Sequence, residues 1–238
     1  MTYNVHGFIG TDGVYDPERV ARVIEQGKVD VAALQEVDFG RGERDQPAAI
    51  ERLAQRLGMH SHFTFTREGK NGRFGNAVLS GHEIKLVAEG MLPQRKGEAR
   101  AVQWLDVAAS GFRLQLMNTH LSLNFWERRG QVRALLGAEW MVRAMQGLPL
   151  VICGDFNSSP LSSVYRRLGR DLRDVQCGSA RRYGTWPAWL PFWRIDHMFV
   201  SPDIAVQGCQ VPVKGLSARA SDHLPLIAEL SLVAKEDQ

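Results

Sequence analysis

Residues 148–157 read Leu148-Pro149-Leu150-Val151-Ile152-Cys153-Gly154-Asp155-Phe156-Asn157. From Leu148 to Cys153 the run is apolar and of strand length, as expected of a strand covered on both faces. It ends on Gly154-Asp155-Phe156-Asn157, which presents two polar side chains where the strand stops. The same arrangement recurs along the chain. Met1–Val5 carries Asn4 and leads to His6, and Val29–Leu34 leads to Gln35-Glu36. The alternating strand 112–120 carries Asn118 and His120, Asp196 opens the strand 195–200, and Asp222-His223 precedes the strand 225–232. Strand ends are where a rigid sheet can hold polar groups in a pocket, so six such sites point to one place in the fold.

Between these strands the periodicity changes. Asp16-Pro17-Glu18 is an N-cap, a proline at the first helical position and an acid in the first turn, and Val20, Val23 and Ile24 follow at helical spacing up to Gly27. Pro47–Leu57 is also helical, with Ile50, Leu53, Ala54 and Leu57 on one face and Gly58 ending it. Strands are expected over 61–66, 76–80, 84–91, 99–108 and 112–120, with Gly69-Lys70-Asn71-Gly72 as a hairpin turn. A long helical stretch covers 125–145, a short one covers 160–168, and strands at 195–200, 205–213 and 225–232 finish the chain. This order predicts an α/β fold in which two sheets pack face to face with helices outside. Without a low-complexity linker or a repeat, residues 1–238 read as a single domain.

The composition agrees. With 238 residues, 44% hydrophobic and 23% charged, the chain is of ordinary globular type, not collagen-like, coiled-coil or wholly disordered. A net charge of +3 is too small to mark the whole protein as a nucleic-acid or membrane binder. Three widely spaced cysteines support neither a disulfide framework nor a thiolate zinc site, so a reducing, cytoplasmic setting is expected. No apolar run reaches the roughly 20 residues of a spanning helix. Because the first strand begins at residue 1, an upstream segment and secretion stay open.

Each polar strand end has an ordinary reading: Asn4 as a turn cap, Asp155-Phe156-Asn157 as an Asx turn, Glu36 as a solvated acid, His120 and His223 as structural histidines, Asp196 as the partner of an arginine. As a set they are chemically coherent. The carboxylates of Glu36, Asp155 and Asp222, with the amides of Asn4 and Asn157, are hard oxygen groups suited to Mg²⁺ or Mn²⁺. His120 and His223 exchange protons near neutral pH, and a carboxylate such as Asp196 would fix a histidine's tautomer.

Thr2-Tyr3-Asn4-Val5-His6-Gly7, Leu34-Gln35-Glu36, Asn118-Thr119-His120-Leu121, Gly154-Asp155-Phe156-Asn157, Ile195-Asp196 and Ser221-Asp222-His223-Leu224-Pro225 resemble, in order and spacing, the endonuclease/exonuclease/phosphatase superfamily. That resemblance implies a four-layer α/β sandwich and divalent-metal-dependent hydrolysis of phosphate esters. It implies Glu36 as the main metal ligand with Asn4 and Asp222 close by. Asp155 and Asn157 would orient the nucleophile and phosphate, and His223, oriented by Asp196, would be a base or phosphate contact. The Asn118-Thr119-His120-Leu121 strand is similar to the branch holding pancreatic-type deoxyribonucleases and neutral sphingomyelinases, where the histidine is catalytic. Many abasic-site nucleases carry Asp where this chain has His6, whose own role stays open. On this basis His223 activates water and His120 serves the leaving side, with exchange of the two roles allowed. Asn76, Arg100, Asn118 and Arg194 are the expected phosphate or substrate contacts.

Residues 160–194 carry Arg166, Arg167, Arg170, Arg173, Arg181, Arg182 and Arg194 against Asp171 and Asp174, a local +5. Tyr165, Tyr183, Trp186, Trp189, Phe192 and Trp193 are interleaved, with Pro187 and Pro191 stiffening the approach to Asp196. Arginines on phosphates and rings on bases suit a nucleic acid. The same mixture suits a phospholipid or anionic membrane surface. In a third reading the rings close the core and the arginines are solvated. DNA is the expected substrate, a phospholipid or small phosphate ester the alternative, and a non-catalytic binding module the third. Nothing calls for an obligate protein partner.

Overall fold

The computed structural model describes residues 1–39, 48–69, 72–109, 111–177 and 183–233. Pro47, the Lys70-Asn71 pair of the expected turn, and Arg181 and Arg182 lie outside them.

A four-stranded sheet is ordered β1 (Thr2–Asn4), β2 (Val31–Asp38), β4 (Gly72–Ser80), β3 (His60–Gly69). Its outer face is covered by α1 (Pro17–Gln26) and α2 (Ala49–Leu57), whose Val20, Val23, Ile24, Ile50 and Leu53 pack on Tyr3, Ala32, Leu34 and Leu79. Gly58 ends α2 in the left-handed conformation, with φ +64°.

The second sheet has six strands, in the order β5 (Ile84–Met91), β6 (Ala101–Ala109), β7 (Phe112–His120), β8 (Leu150–Asp155), β10 (Asp196–Val200), β9 (Arg173–Asp174). Its outer face packs Trp104, Met117, Ile152 and Phe199 against α3 (Phe125–Leu135), α4 (Met141–Ala144) and α5 (Ser163–Leu168). Its inner face presents Leu105, Leu116, Val151 and Met198 to Ala33 and Val78 of the other sheet. The molecule is thus helix, sheet, sheet, helix, the expected four-layer sandwich. Burying this middle layer is the main stabilising term, at ~1.5–3 kcal/mol per fully buried Leu, Val or Met side chain.

Three details depart from the expectation. The stretch 125–145 is two helices, because after Leu136 caps α3 the chain turns through Gly137, whose N–H bonds the Ala134 carbonyl. A separate antiparallel ribbon joins β11 (Ile204–Gln210) and β12 (Ile227–Leu232). Both strands are shorter than expected, since Pro212 and Pro225 lack the N–H a ladder requires. A four-residue helix, α6 (Ser217–Ala220), precedes Ser221. Among the described residues no helix is long and apolar enough to cross a membrane.

Candidate active site

His120, Asp155 and Asp196 stand side by side on three adjacent strands: His120 is the register partner of Asp155, and Asp155 of Asp196. Asp155 and Asp196 share their strands' inner face with Cys153 and Met198 two positions deeper, and His120 shares that of β7 with Leu116 four positions deeper, so all three point between the sheets at one end. Gly154 permits this spacing. Its φ is +146°, and a Cβ there would lie 1.8 Å from the Thr119 carbonyl oxygen, so only glycine lets β8 run this close to β7.

The opposite sheet supplies Glu36. Simple alternation would turn Glu36 away from the mouth, since Gln35 already faces inward to Asn118. Instead β2 bulges against β4 between Leu34 and Val37, and Glu36 takes φ +55°. A bulge re-aims a side chain, and a non-glycine residue in this region stores ~1–3 kcal/mol of strain that surrounding structure must hold. Asn4 joins the two sheets across the mouth, its Nδ2 donating to Glu36 Oε1 at 2.9 Å and to Asp155 Oδ2 at 3.0 Å. Its Oδ1 accepts the His6 N–H at 3.0 Å. Asn4 therefore organises the carboxylates with its amide nitrogen, its oxygen being engaged elsewhere.

Two histidines flank Asp155. His120 Nε2 lies 3.4 Å and His223 Nε2 3.8 Å from Asp155 Oδ2. His223 Nδ1 meets Asp196 Oδ2 at 2.9 Å, and Ser221 Oγ accepts the His223 N–H while donating to the Asn4 carbonyl. Burial disfavours a charged His223, yet Asp196, Asp155 and Asp222 outweigh it and hold the imidazolium up to about 10. Burial pushes Asp155 well above the usual carboxylate range, and Asp196 adds to this while His223 opposes it.

His120 has the opposite surroundings. Arg100 Nη1 lies 2.9 Å from His120 Nδ1. A guanidinium has no lone pair to offer, so Nδ1 is the acceptor and the ring proton sits on Nε2, facing Asp155. Burial first, then the charges of Arg100, His223 and Arg67, lower the His120 pKa far below that of a free imidazole. Asn157, at φ +46°, closes this side: its Nδ2 donates to the Leu121 carbonyl at 3.0 Å and lies 3.1 Å from His120 Nε2.

Glu36, His120 and Asp155 present ligand atoms within 4.8 Å of one another. Glu36 is the partly exposed member, its side chain 31% accessible, whereas Asp155 is buried. Two carboxylates gathered by one amide, one of them reluctant to ionise, fit a hard divalent cation such as Mg²⁺ or Mn²⁺.

Several expected site residues lie elsewhere. Asn118 is fully buried and does not reach a substrate: its Nδ2 donates to the Leu34 and Ala77 carbonyls and to Gln103 Oε1, and its Oδ1 accepts from Gln35. Arg194 turns aside to Asp174, 2.5 Å away, which also accepts from the Tyr165 hydroxyl. Asp222 stays at the rim, where its Oδ2 accepts from Trp186 Nε1 and its Oδ1 lies 3.7 Å from His6 Nδ1. Asn76, by contrast, lines the same crevice as Glu36, Arg100 and His120.

Further residues complete the site, of which Arg67 and Glu127 are not singled out in the sequence. Arg67 and Phe74 line that crevice, with Arg67 stacked over the Phe74 ring and paired to Glu98. Glu127 Oε1 accepts the backbone N–H groups of Arg95, Lys96 and Gly97, and so tethers the segment leading to Arg100. Glu127 is nominally three residues past an N-cap, Asn124, which is the one sequence signal it carries.

Comparison with known proteins gives the family and the fold. The family described as Endonuclease/Exonuclease/phosphatase family matches residues 1–223. The chain is 27% identical over 256 residues to the uncharacterized protein YbhP of Escherichia coli K12, covering 98% of this chain and 95% of that one. Its fold is similar to an endonuclease/exonuclease/phosphatase from Beutenbergia cavernae, with a TM-score of 0.77, 23% identity, and coverage of 97% and 70% of the two chains. It is also similar to a Bacteroides thetaiotaomicron mannosyl-6-phosphatase, with a TM-score of 0.76, 20% identity, and coverage of 97% and 98%. The chain belongs to the endonuclease/exonuclease/phosphatase family, a family of metal-dependent hydrolases of phosphate esters.

Proposed function

We propose that this chain hydrolyses a phosphodiester at the mouth between its two sheets, and that Glu36 holds a Mg²⁺ or Mn²⁺ ion there. The observation that carries this reading is the convergence of Glu36, Asp155, His120 and His223, two carboxylates and two histidines in opposite charge states, on one point. When bound, the ion neutralises charge growing on the phosphate as a Lewis acid. Asp155, raised toward neutrality, accepts the proton of the attacking water, and Asn157 and Asn4 fix its carboxylate. Water oxygen bonds to phosphorus as the bond to the leaving oxygen breaks. His223, cationic through Asp196, donates to the phosphate or leaving oxygen, and His120 offers its Nε2–H to the same group. This keeps neither expected division of the histidine roles: a His223 that is already protonated cannot serve as the base, His120 engages its acceptor Nδ1 with Arg100, and the base is therefore Asp155. General acid–base groups of this kind contribute about 10²–10⁴-fold.

Two substrates have support. Exposed rings and arginines beside the site favour DNA, as rings stack on bases. A phospholipid headgroup diester is favoured by the leucines at the same rim, and we take this as the stronger reading because an aliphatic side chain has no face on which a base can stack. Purified protein should turn over bis(nitrophenyl) phosphate with Mg²⁺ or Mn²⁺ and not with EDTA, and Glu36→Gln should lower turnover at least about a hundredfold while remaining folded. Metal-independent turnover, or full activity in Glu36→Gln, would overturn the assignment. Parallel assays on supercoiled plasmid and on phospholipid vesicles decide the substrate.

A further inference from the structure

The chain leaves His120 into Leu121–Asn124, leaves Asp155 into 156–162, and enters Asp196 from 183–195. Because these three residues are register neighbours, the three segments emerge together around the mouth. All three, with the first turn of α3 that follows the first, carry large apolar side chains in solvent: Leu123 is 76% exposed, Trp126 in α3 69%, Leu161 86%, Trp189 74% and Phe192 60%, with Leu190 also exposed. The expectation that the rings close the core holds for Tyr165 and Tyr183, which pack on it, and not for Trp189 and Phe192. Single exposed apolar residues need no explanation, whereas a cluster of this size around one opening does.

The crown is held in place. Trp186 and Trp193 bridge backbone to backbone, so residues 187–192 form a closed tip. The Ala188 N–H donates to the Asp222 carbonyl at 2.7 Å, which fixes the tip to the residue before His223. Phe125 and Trp126 stack edge to face with Arg129 over both rings. Cationic side chains outnumber acids here: α3 and α5, which follow two of the segments, carry Arg128, Arg129, Arg166 and Arg167 against Glu127, whose carboxylate accepts three backbone N–H groups, and Asp222 at the rim. Tryptophans and leucines bordered by arginines complement the boundary of an anionic bilayer, where rings sit at headgroup level and aliphatic chains reach the acyl region.

We propose that Leu123, Trp126, Leu161, Trp189, Leu190 and Phe192 dock the mouth of the site onto an anionic lipid surface, so that the scissile diester is presented from the membrane. This deepens the phospholipid reading of the site and rests on it for the substrate, though not for the docking.

The test uses the full chain and vesicles of phosphatidylcholine with and without phosphatidylglycerol. Flotation should show binding that prefers anionic vesicles and persists in part at about 1 M salt, where screening acts within ~3 Å. Tryptophan emission should shift to the blue and be quenched by brominated acyl chains. The pairs Trp189→Ser/Phe192→Ser and Leu123→Ser/Leu161→Ser should each weaken partitioning about tenfold or more, with bis(nitrophenyl) phosphate turnover unchanged. Absence of vesicle binding, or binding that salt abolishes and the serine pairs leave intact, would overturn the proposal. So would a wild-type dimer that the serine pairs dissociate, or oligonucleotide binding lost in those pairs without vesicle binding. Vesicle binding by a chain inert toward the soluble diester would instead leave docking intact and remove the catalytic reading.

Discussion

Replacing Asn118 with alanine separates a structural role from a substrate contact. Asn118 sits two residues below His120 on the same face of β7, about 7 Å deeper at ~3.4 Å per residue, where the two sheets meet. Its removal deletes four hydrogen bonds that cross from β7 to β2, β4 and β6. Among the described residues Asn118 is the donor to Gln103 Oε1, and the Gln103 amide nitrogen is directed to the His62 and Asn76 carbonyls. An orphaned buried acceptor costs about 1–3 kcal/mol, and each lost hydrogen bond a further ~1 kcal/mol where water cannot enter. The loss should be at least about 3 kcal/mol, a large fraction of an ordinary domain's ~5–15 kcal/mol. In a chain of this size that lowers Tm by about 6–12 °C. Gln35 would also lose its link to β7 next to the bulge that aims Glu36, so kcat should fall in molecules that remain folded. The assay is denaturant unfolding with the midpoint and slope both followed, alongside kcat and KM on a soluble diester. Unchanged stability with a raised KM and an unchanged kcat would refute this reasoning, because that is the signature of a lost binding contact.

Two further outcomes follow from the charged groups. Arg100→Met removes the cation that, after burial, most opposes protonation of His120, so the His120 pKa followed by its imidazole NMR signals should rise; an unmoved value would exclude the Arg100–His120 contact as the cause. Asp174 is buried, which would raise its pKa, yet His197, Tyr165 and Arg194 hold it down to about 2. With a folded value below the unfolded ~3.9, its stabilisation is present above about pH 4 and is lost as pH falls toward 2. It amounts to about 2 kcal/mol, so thermal melts should fall more steeply between pH 4 and 2 for the wild type than for Asp174→Asn; equal slopes would show that Asp174 is not the titrating group.

What could be read in the sequence, and what could not, divides along the range of the forces involved. The strand-end residues were legible because each follows an apolar run whose burial fixes where the strand stops, and the Asp16-Pro17 start of α1 is decided within a few residues. The direction of a side chain at a strand end is a tertiary matter. Asn118 and His120 share one face, and only the packing of the second sheet makes the first an interior strut and the second part of the mouth. Glu36 is the sharper instance: Gln35 and Glu36 should face opposite ways, and no glycine announces the bulge that turns both inward. The strain is held by Asn4 from β1 and by the ladder to β4, neighbours that are about 30 and 40 positions away in the chain. The aromatic segment failed for a related reason. Composition places Trp189 and Phe192 in a core on average, and here both stand exposed on the tip that the backbone bridge between Trp186 and Trp193 closes. A local hydrogen-bond pattern accompanies the exposure of residues whose individual preference is for the core, and it does so on the segment that leads into Asp196.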